Sequence, residues 1–147
     1  TLSLAVIFVA GVRERLVNIP RWFADVPRSF EVIRQQATAA AKFWMPVLIV
    51  FVTTTAFALI TNWRMRELRT FVLLGVTCFA IVIVLTGIYY VKEIMAFQKI
   101  PVDAPATPDL LKRANLWYRT TIVRNVLQGI GLCFFVIACI KCLGMSS

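Results

Sequence analysis

The sequence of 147 residues contains no histidine and only seven acidic residues. Histidine is the usual axial ligand of haem, the usual ligand of copper and non-haem iron, and the commonest general base. Its absence argues against a metal-centred enzyme, although carboxylates and cysteines remain as ligands. We therefore expect no cofactor and no metal site, and the residues single out no catalytic set.

Charge is also missing from three long stretches of the chain. Residues 43–63 and 70–91 carry no charge, and residues 120–140 carry a single one, Arg124. A helix that rises about 1.5 Å per residue needs roughly 20 residues to cross the hydrocarbon core of a bilayer, and each stretch is long enough. Because the backbone must satisfy its own hydrogen bonds in lipid, each stretch should be a helix. With 60% hydrophobic residues, the chain is predicted to be an integral membrane protein.

The net charge of +9 does not indicate a nucleic-acid-binding protein. The basic residues cluster at the ends of the apolar stretches, where Lys and Arg meet lipid headgroups and set topology. We expect a lipid bilayer as a partner, no nucleic acid, and a location in a bacterial inner membrane.

The apolar segment from Thr1 to Val12 is too short to span a bilayer by itself. Either its helix continues past Arg13 with snorkelling side chains, or its beginning is missing. We expect Thr1 to lie inside a first transmembrane helix that is truncated at its start; a signal peptide is the alternative, but no cleavage site is evident. The sequence thus predicts an all-α integral membrane four-helix bundle, a single domain over residues 1–147. Its helices are predicted at about 1–16, 43–61, 70–92 and 120–141.

Loop 1, which joins the first two predicted helices, and loop 3, which joins the last two, should lie on one side of the membrane. Their Lys and Arg are more numerous, but those of the short connection at 64–69 are denser, which leaves the orientation open.

Both loops are predicted to contain interfacial helical segments. Trp22 beside Arg21 in loop 1 is typical of a segment at the headgroup level. After Pro27 the pattern becomes helical, so the second helix should begin outside the membrane, and Pro46 should kink it or mark a restart.

The last helix should also begin outside the membrane. Thr107, Pro108 and Asp109 in loop 3 supply a hydroxyl cap, a proline at the first position and an acid in the first turn. From this start the helix should run to about Leu143, with Gly144 as its stop.

Polar side chains form two stripes near one side of the predicted membrane region. At about 100° per residue, the members of each stripe fall on one arc of their helix. Because charged and amide side chains are costly against lipid, both stripes should face other helices or a wet cavity. The third and fourth helices are antiparallel, so the stripes meet, and we expect Glu93 to pair with Arg124. The stripes are Trp117, Thr121, Arg124, Asn125 and Gln128 on the last helix and Thr86, Tyr89, Tyr90 and Glu93 on the third.

Two interpretations of the stripes stay open, and they are compatible. In the first, aromatic walls and polar anchors form a pocket for a flat, lipid-soluble, partly polar ligand such as a quinone or a polycyclic phenol. In the second, the polar groups are a clamp that holds the third and fourth helices together. The candidate ligand-binding residues are Trp44, Tyr89, Tyr90, Glu93, Trp117, Arg124, Asn125 and Gln128.

The four cysteines give a weaker signal. Cys78 and Cys133 lie in the middle of apolar stretches, where cysteine is usually a small packing residue. Cys139 and Cys142 form a C-x-x-C pair near one helix face, but a continuous helix suits a disulfide poorly, and no further soft ligand is nearby. We expect packing rather than redox chemistry or metal binding.

Gly129 and Gly131 lie too deep in an apolar helix to form a phosphate-binding loop. They predict instead that a neighbouring helix approaches closely.

Several short segments along the chain recur in a known layout: a first helix ending at Gly11, Asn18-Ile19-Pro20-Arg21-Trp22, the helix around Phe30 to Arg34, Phe43-Trp44-Met45-Pro46, and Trp117 followed by Arg124-Asn125. Over nearly its whole length the chain thereby resembles the anthrone-oxygenase-like four-helix membrane proteins, a family largely of unknown function. The resemblance implies a four-helix bundle, and the few members with an assigned activity are thought to oxidise polycyclic anthrones without a metal. If that activity is shared, the resemblance implies that Trp117, Arg124 and Asn125 bind a phenolate oxygen near the membrane surface.

Two functions follow from these observations. The chain is short and lacks a catalytic set, which favours a non-catalytic accessory or structural subunit of a larger membrane complex, such as a redox- or quinone-linked one. Its partners would be other membrane protein subunits or further copies of itself. The alternative is a small cofactor-free membrane oxygenase, or a binder, for a quinone-like or polycyclic aromatic ligand.

Overall fold

The computed structural model of the chain describes residues 2–144, apart from the side chains at positions 37, 38 and 41. Thr1, on which the expectation of a truncated first helix rests, lies outside the described residues. Across the described range every regular element is a helix, which confirms the all-α prediction.

The helices follow one another with short connections, and two of them contain π-helical segments. Helix α1 (Leu2–Arg13) continues through a π segment (Glu14–Asn18) into α2 (Ile19–Trp22). Helix α3 covers Phe30–Thr61. Helix α4 (Arg66–Leu85) continues through a second π segment (Thr86–Val91) into α5 (Lys92–Gln98), and α6 covers Pro108–Gly144.

Three of the predicted membrane spans are confirmed by length and composition. The helical stretches at Lys42–Thr61, Arg66–Gln98 and Pro108–Gly144 are each long and apolar enough to cross a bilayer. The helical stretch from Leu2 to Trp22 does not meet the same criterion, because Arg13, Glu14 and Arg15 place three charges within it. The four-helix membrane bundle therefore stays a prediction.

Helices α3 and α6 both begin well before their apolar stretches, at the positions that the sequence predicts. Helix α3 starts at Phe30, well before its apolar stretch, and it runs through Pro46 without a restart. At the start of α6 the Thr107 hydroxyl accepts a hydrogen bond from the amide of Leu110 at 3.3 Å, which satisfies one of the amides that a helix start leaves unpaired. The predicted continuous last helix is confirmed.

The two loops lie at one end of the molecule, as predicted. The ring of Phe23, in loop 1, is 5.7 Å from that of Phe97 at the entry to loop 3 and 5.4 Å from that of Trp117. Arg34 fixes loop 3 by donating to the carbonyl oxygens of Gln98, at 2.8 Å, and Ile100. We call this the loop end, and the opposite end, at the connection between α3 and α4, the turn end.

Trp22 is packed inside the loop end. Trp22 is only 7% exposed, and its indole Nε1 donates a hydrogen bond to Gln36 Oε1 at 2.8 Å. The ring of Trp117 on α6 lies 6.0 Å from that of Trp22, so the tryptophan is covered by its own fold, and its position at the headgroup level stays a prediction.

Buried and half-buried residues form three layers from one end to the other. The loop-end cluster consists of Ile19, Trp22, Phe30, Ile33, Tyr90, Phe97, Leu110 and Trp117. The turn-end cluster consists of Leu4, Ile7, Phe51, Leu68, Val72, Phe79, Phe135 and Ala138. Between them along α1 and α6 lies a polar layer of Gly11, Glu14, Arg15, Thr121, Arg124, Asn125 and Gln128.

Glycines set the approach of α4 to α6, as predicted for Gly131. A methyl group added at Gly131 would lie 3.0 Å from the ring of Phe79, and one added at Gly75 would lie 2.5 Å from the ring of Phe135. Gly129 faces a different neighbour, since its added methyl would meet Phe8 at 3.2 Å. Side chains at these positions would push the helices apart.

Little of the apolar surface is covered by the chain itself. Of the 18 most apolar consecutive residues in the span at Lys42–Thr61, only 11% are buried by the rest of the chain. The corresponding share is 22% in each of the other two spans. Large exposed side chains of α3 include Ile49, Val52, Phe57 and Ile60. Surface of this kind needs lipid or another protein to cover it.

Candidate functional site

The polar layer is centred on a largely buried ion pair between α6 and the first π segment. Arg124 Nη2 donates to Glu14 Oε2 at 3.0 Å, and the two side chains are only 12% and 14% exposed. The guanidinium also lies over the ring of Tyr90, 5.6 Å from its centroid. The expected position of Arg124, facing other helices rather than lipid, agrees with this geometry.

The expected partner of Arg124 is wrong. Glu93 pairs with Arg113, at 2.9 Å, near the loop end. Arg113 precedes Arg124 by about three turns of α6, so the Cα atoms of the two arginines lie about 16 Å apart along the helix axis. Glu93 lies at the level of Arg113, and Glu14 lies at the level of Arg124.

Sequence reasoning missed the contribution of α1 to this layer. Arg15 Nη1 donates to the carbonyl oxygen of Tyr118 at 2.9 Å and to the hydroxyl of Thr121, and its guanidinium lies 5.1 Å from the Tyr118 ring centroid. The signal was present, because Gly11 and Glu14 continue the helical spacing of the buried residues that precede them.

Asn125 and Gln128 lie against Gly11 and are almost completely buried. They are 7% and 6% exposed, and Asn125 Nδ2 donates to the Gly11 carbonyl oxygen at 3.4 Å. A methyl group at Gly11 would lie 3.0 Å from Gln128 Oε1 and 3.5 Å from Asn125 Oδ1. The missing side chain at Gly11 therefore lets α1 approach both amides.

Three buried polar atoms of this layer have no hydrogen-bond partner in the described part of the chain. They are Arg124 Nε, Asn125 Oδ1 and Gln128 Oε1. A buried donor or acceptor that stays unpaired costs about 1–3 kcal/mol. The layer thus keeps unused hydrogen-bonding capacity beside its ion pair.

The predicted aromatic walls pack against one another. The ring centroids of Tyr90 and Trp117 are 5.7 Å apart, and those of Tyr89 and Tyr90 are 5.1 Å apart. Trp117 Nε1 donates to the carbonyl oxygen of Tyr90 at 3.1 Å, and the Tyr90 hydroxyl donates to the carbonyl oxygen of Thr120 at 2.6 Å. These hydrogen bonds tie α6 to the second π segment.

Six of the eight candidate residues lie in or beside the polar layer, and two lie elsewhere. Trp44 packs against the turn-end cluster, next to Phe43 at a ring distance of 5.2 Å. Glu93 lies nearer the loop end with Arg113. The contacts of Arg124 and Asn125 extend the clamp interpretation, because they hold α1 as well as the third predicted helix against α6.

Two cavities lie outside the polar layer. A cavity of about 400 Å³ at the loop end is lined by residues that include Phe23 and Tyr118. A second, of about 160 Å³, lies at the turn end, and Cys139 and Cys142 are in its wall. Over residues 2–144, no group of three or more acidic or cysteine side chains comes together as a metal site would require.

No family model, curated protein or solved structure matches this chain. The resemblance to the anthrone-oxygenase-like family therefore rests on the quoted sequence features alone.

Proposed function

We propose that the chain is a non-catalytic integral membrane subunit that packs α3 and α4 against another protein of a larger membrane complex. The observation that carries this proposal is the bare surface of α3, whose most apolar window is only 11% buried by the chain itself. The apolar span of α3 therefore has most of its surface available for another transmembrane helix.

The state of the polar side chains supports the same function. Arg124 is engaged with Glu14, and Trp117 and Tyr90 are engaged with each other. Groups paired in this way hold helices together, which is what a structural subunit requires of them.

Photocrosslinking in the native membrane tests this proposal. We replace Ile49 or Ile60, both exposed on α3, with benzoylphenylalanine, and use Ile130, exposed on α6, as the control position. The α3 positions are expected to give an adduct of one discrete protein mass, and the control position only lipid adducts. Lipid adducts at all three positions would show that α3 meets no protein partner.

A second function is favoured by one observation, the unpaired atoms Arg124 Nε, Asn125 Oδ1 and Gln128 Oε1. A quinone-like or polycyclic aromatic ligand that displaced part of the aromatic packing would offer oxygens to Arg124 and hydroxyl groups to the two amides. This is the binder or cofactor-free oxygenase that the family resemblance implies.

Arg124→Leu separates the two functions when decylubiquinone binding and complex size are both measured. Loss of binding with an intact complex favours the binder. Unchanged affinity rules out a site at the polar layer, and loss of folded protein indicates the clamp.

A further inference from the structure

The cavity at the turn end has the size of a single ring and a mostly apolar wall. Its volume is about 160 Å³, and it lies among the first turn of α1, the second half of α3, the start of α4 and the end of α6. Leu4, Phe51, Val72 and Phe135 form much of its wall. The cavity is half open to its surroundings, and its volume is close to that of an apolar cavity of about 150 Å³ that takes up benzene.

The wall contains a few polar side chains, and Thr55 is the buried one among them. Thr55 is in the wall, is only 9% exposed, and makes no side-chain hydrogen bond within residues 2–144. Its neighbours behave differently, because the hydroxyl of Thr53 donates to the Ile49 carbonyl oxygen at 2.9 Å and that of Thr54 to the Val50 carbonyl oxygen at 2.7 Å. A threonine in an apolar helix usually bonds its own preceding turn in this way. The Thr55 hydroxyl is thus left for a molecule in the cavity.

We propose that the cavity binds a small lipophilic alcohol with a single ring. The ring would occupy the space beside Phe51 and Phe135, and its hydroxyl would exchange a hydrogen bond with Thr55. The volume accommodates one six-membered ring. The site is remote from the polar layer, so it does not depend on the function proposed above.

Fluorine NMR with 4-fluorobenzyl alcohol tests the site in the full chain, purified in deuterated detergent micelles. The probe is titrated into protein-containing and empty micelles, and its line width separates binding to protein from partition into detergent. We expect a saturable component that empty micelles lack.

Two pairs of variants on α3 locate the binding. Ala58 lines the cavity and Ala56 is exposed, so Ala58→Leu should abolish the saturable component and Ala56→Leu should leave it unchanged. Thr55→Val removes the hydroxyl while keeping the shape, and we expect about tenfold weaker binding, as for the loss of one hydrogen bond. Thr53→Val, on the exposed face, should have no effect.

4-Fluorotoluene, which lacks the hydroxyl, completes the test. It should bind the unmodified protein about tenfold more weakly than the alcohol does. Its affinity for the Thr55→Val variant should equal its affinity for the unmodified protein. The proposal is overturned if the alcohol only partitions as it does into empty micelles, as when a lipid chain fills the cavity. Equal affinity of the Thr55→Val variant, or retained binding in Ala58→Leu, would also overturn it.

Discussion

At the scale of the residue, the buried charge of Arg124 was predictable and its partner was not. An arginine in an otherwise uncharged stretch must face other helices, because its desolvation against lipid is costly. The choice of Glu14 over Glu93 depends on how α1 docks, and that docking depends on the bare backbone of Gly11 beside Asn125 and Gln128. The helical spacing marks the face of α1 that carries Gly11 and Glu14, but it does not show that this face docks beside Arg124.

Breaking the ion pair from either side should destabilise the fold strongly. Glu14→Leu or Arg124→Leu leaves one charge buried without its partner, and we expect each to cost about 3–5 kcal/mol of unfolding free energy. The double variant should be less destabilised than either single one, since no unpaired charge remains. Reversible unfolding in mixed detergent and SDS micelles, followed by circular dichroism, measures all three.

Asp25→Asn is the matched control for these variants. Asp25 and Arg28 are 4.0 Å apart with side chains 69% and 80% exposed, so no measurable change is expected. Additive costs in the Glu14 and Arg124 double variant would show that the two side chains act independently.

At the scale of the element, long helices were predictable and their irregularities were not. The helix cap at Thr107 and the length of the last apolar stretch predicted the bounds of α6. The helical pattern after Pro27 predicted that α3 begins before its apolar stretch. The π segments at 14–18 and 86–91 have no comparable sequence signal, and they change the angle between successive side chains. The predicted arc of Tyr89, Tyr90 and Glu93 was therefore only approximate.

The close approach of α4 to α6 should depend on Gly75. Gly75→Ala would place a methyl group 2.5 Å from the ring of Phe135 and 3.2 Å from the Gly131 carbonyl oxygen. We expect a loss of about 1–3 kcal/mol of unfolding free energy from overpacking. Gly87→Ala is the control, because nothing lies within 4 Å of its added methyl. Equal stability of the two variants would contradict the packing described for these helices.

The closed conformation of loop 3 should depend on the hydrogen bonds that Arg34 donates. Arg34→Gln removes the donors to the carbonyl oxygens of Gln98 and Ile100, so the loop should open more often. We expect trypsin to cleave after Lys99 several-fold faster than in the unmodified protein, as measured by mass spectrometry of the fragments. Arg28→Gln, on an exposed side chain, should leave the rate unchanged, and an unchanged rate in Arg34→Gln would show that other contacts hold the loop.

At the scale of the whole molecule, composition predicted the membrane spans but not the arrangement of buried side chains. Three uncharged or nearly uncharged stretches were sufficient to predict helices that can cross a bilayer. The layering of two apolar clusters around a polar one follows from the register of α1 against α6, which only the fold reveals. The remaining apolar surface, above all on α3, is where a partner subunit is proposed to pack.

The most direct test of that proposal is the size of the complex in its native membrane, measured by native mass spectrometry after mild solubilisation. Ala56→Trp places a bulky ring on the exposed face of α3, where lipid would tolerate it and a packed helix would not, and Cys133→Trp does the same on α6. We expect the unmodified chain and Cys133→Trp to remain in a larger assembly, and Ala56→Trp to be released from it. An unmodified chain that is recovered alone, or an assembly that Ala56→Trp leaves intact, would contradict the proposal.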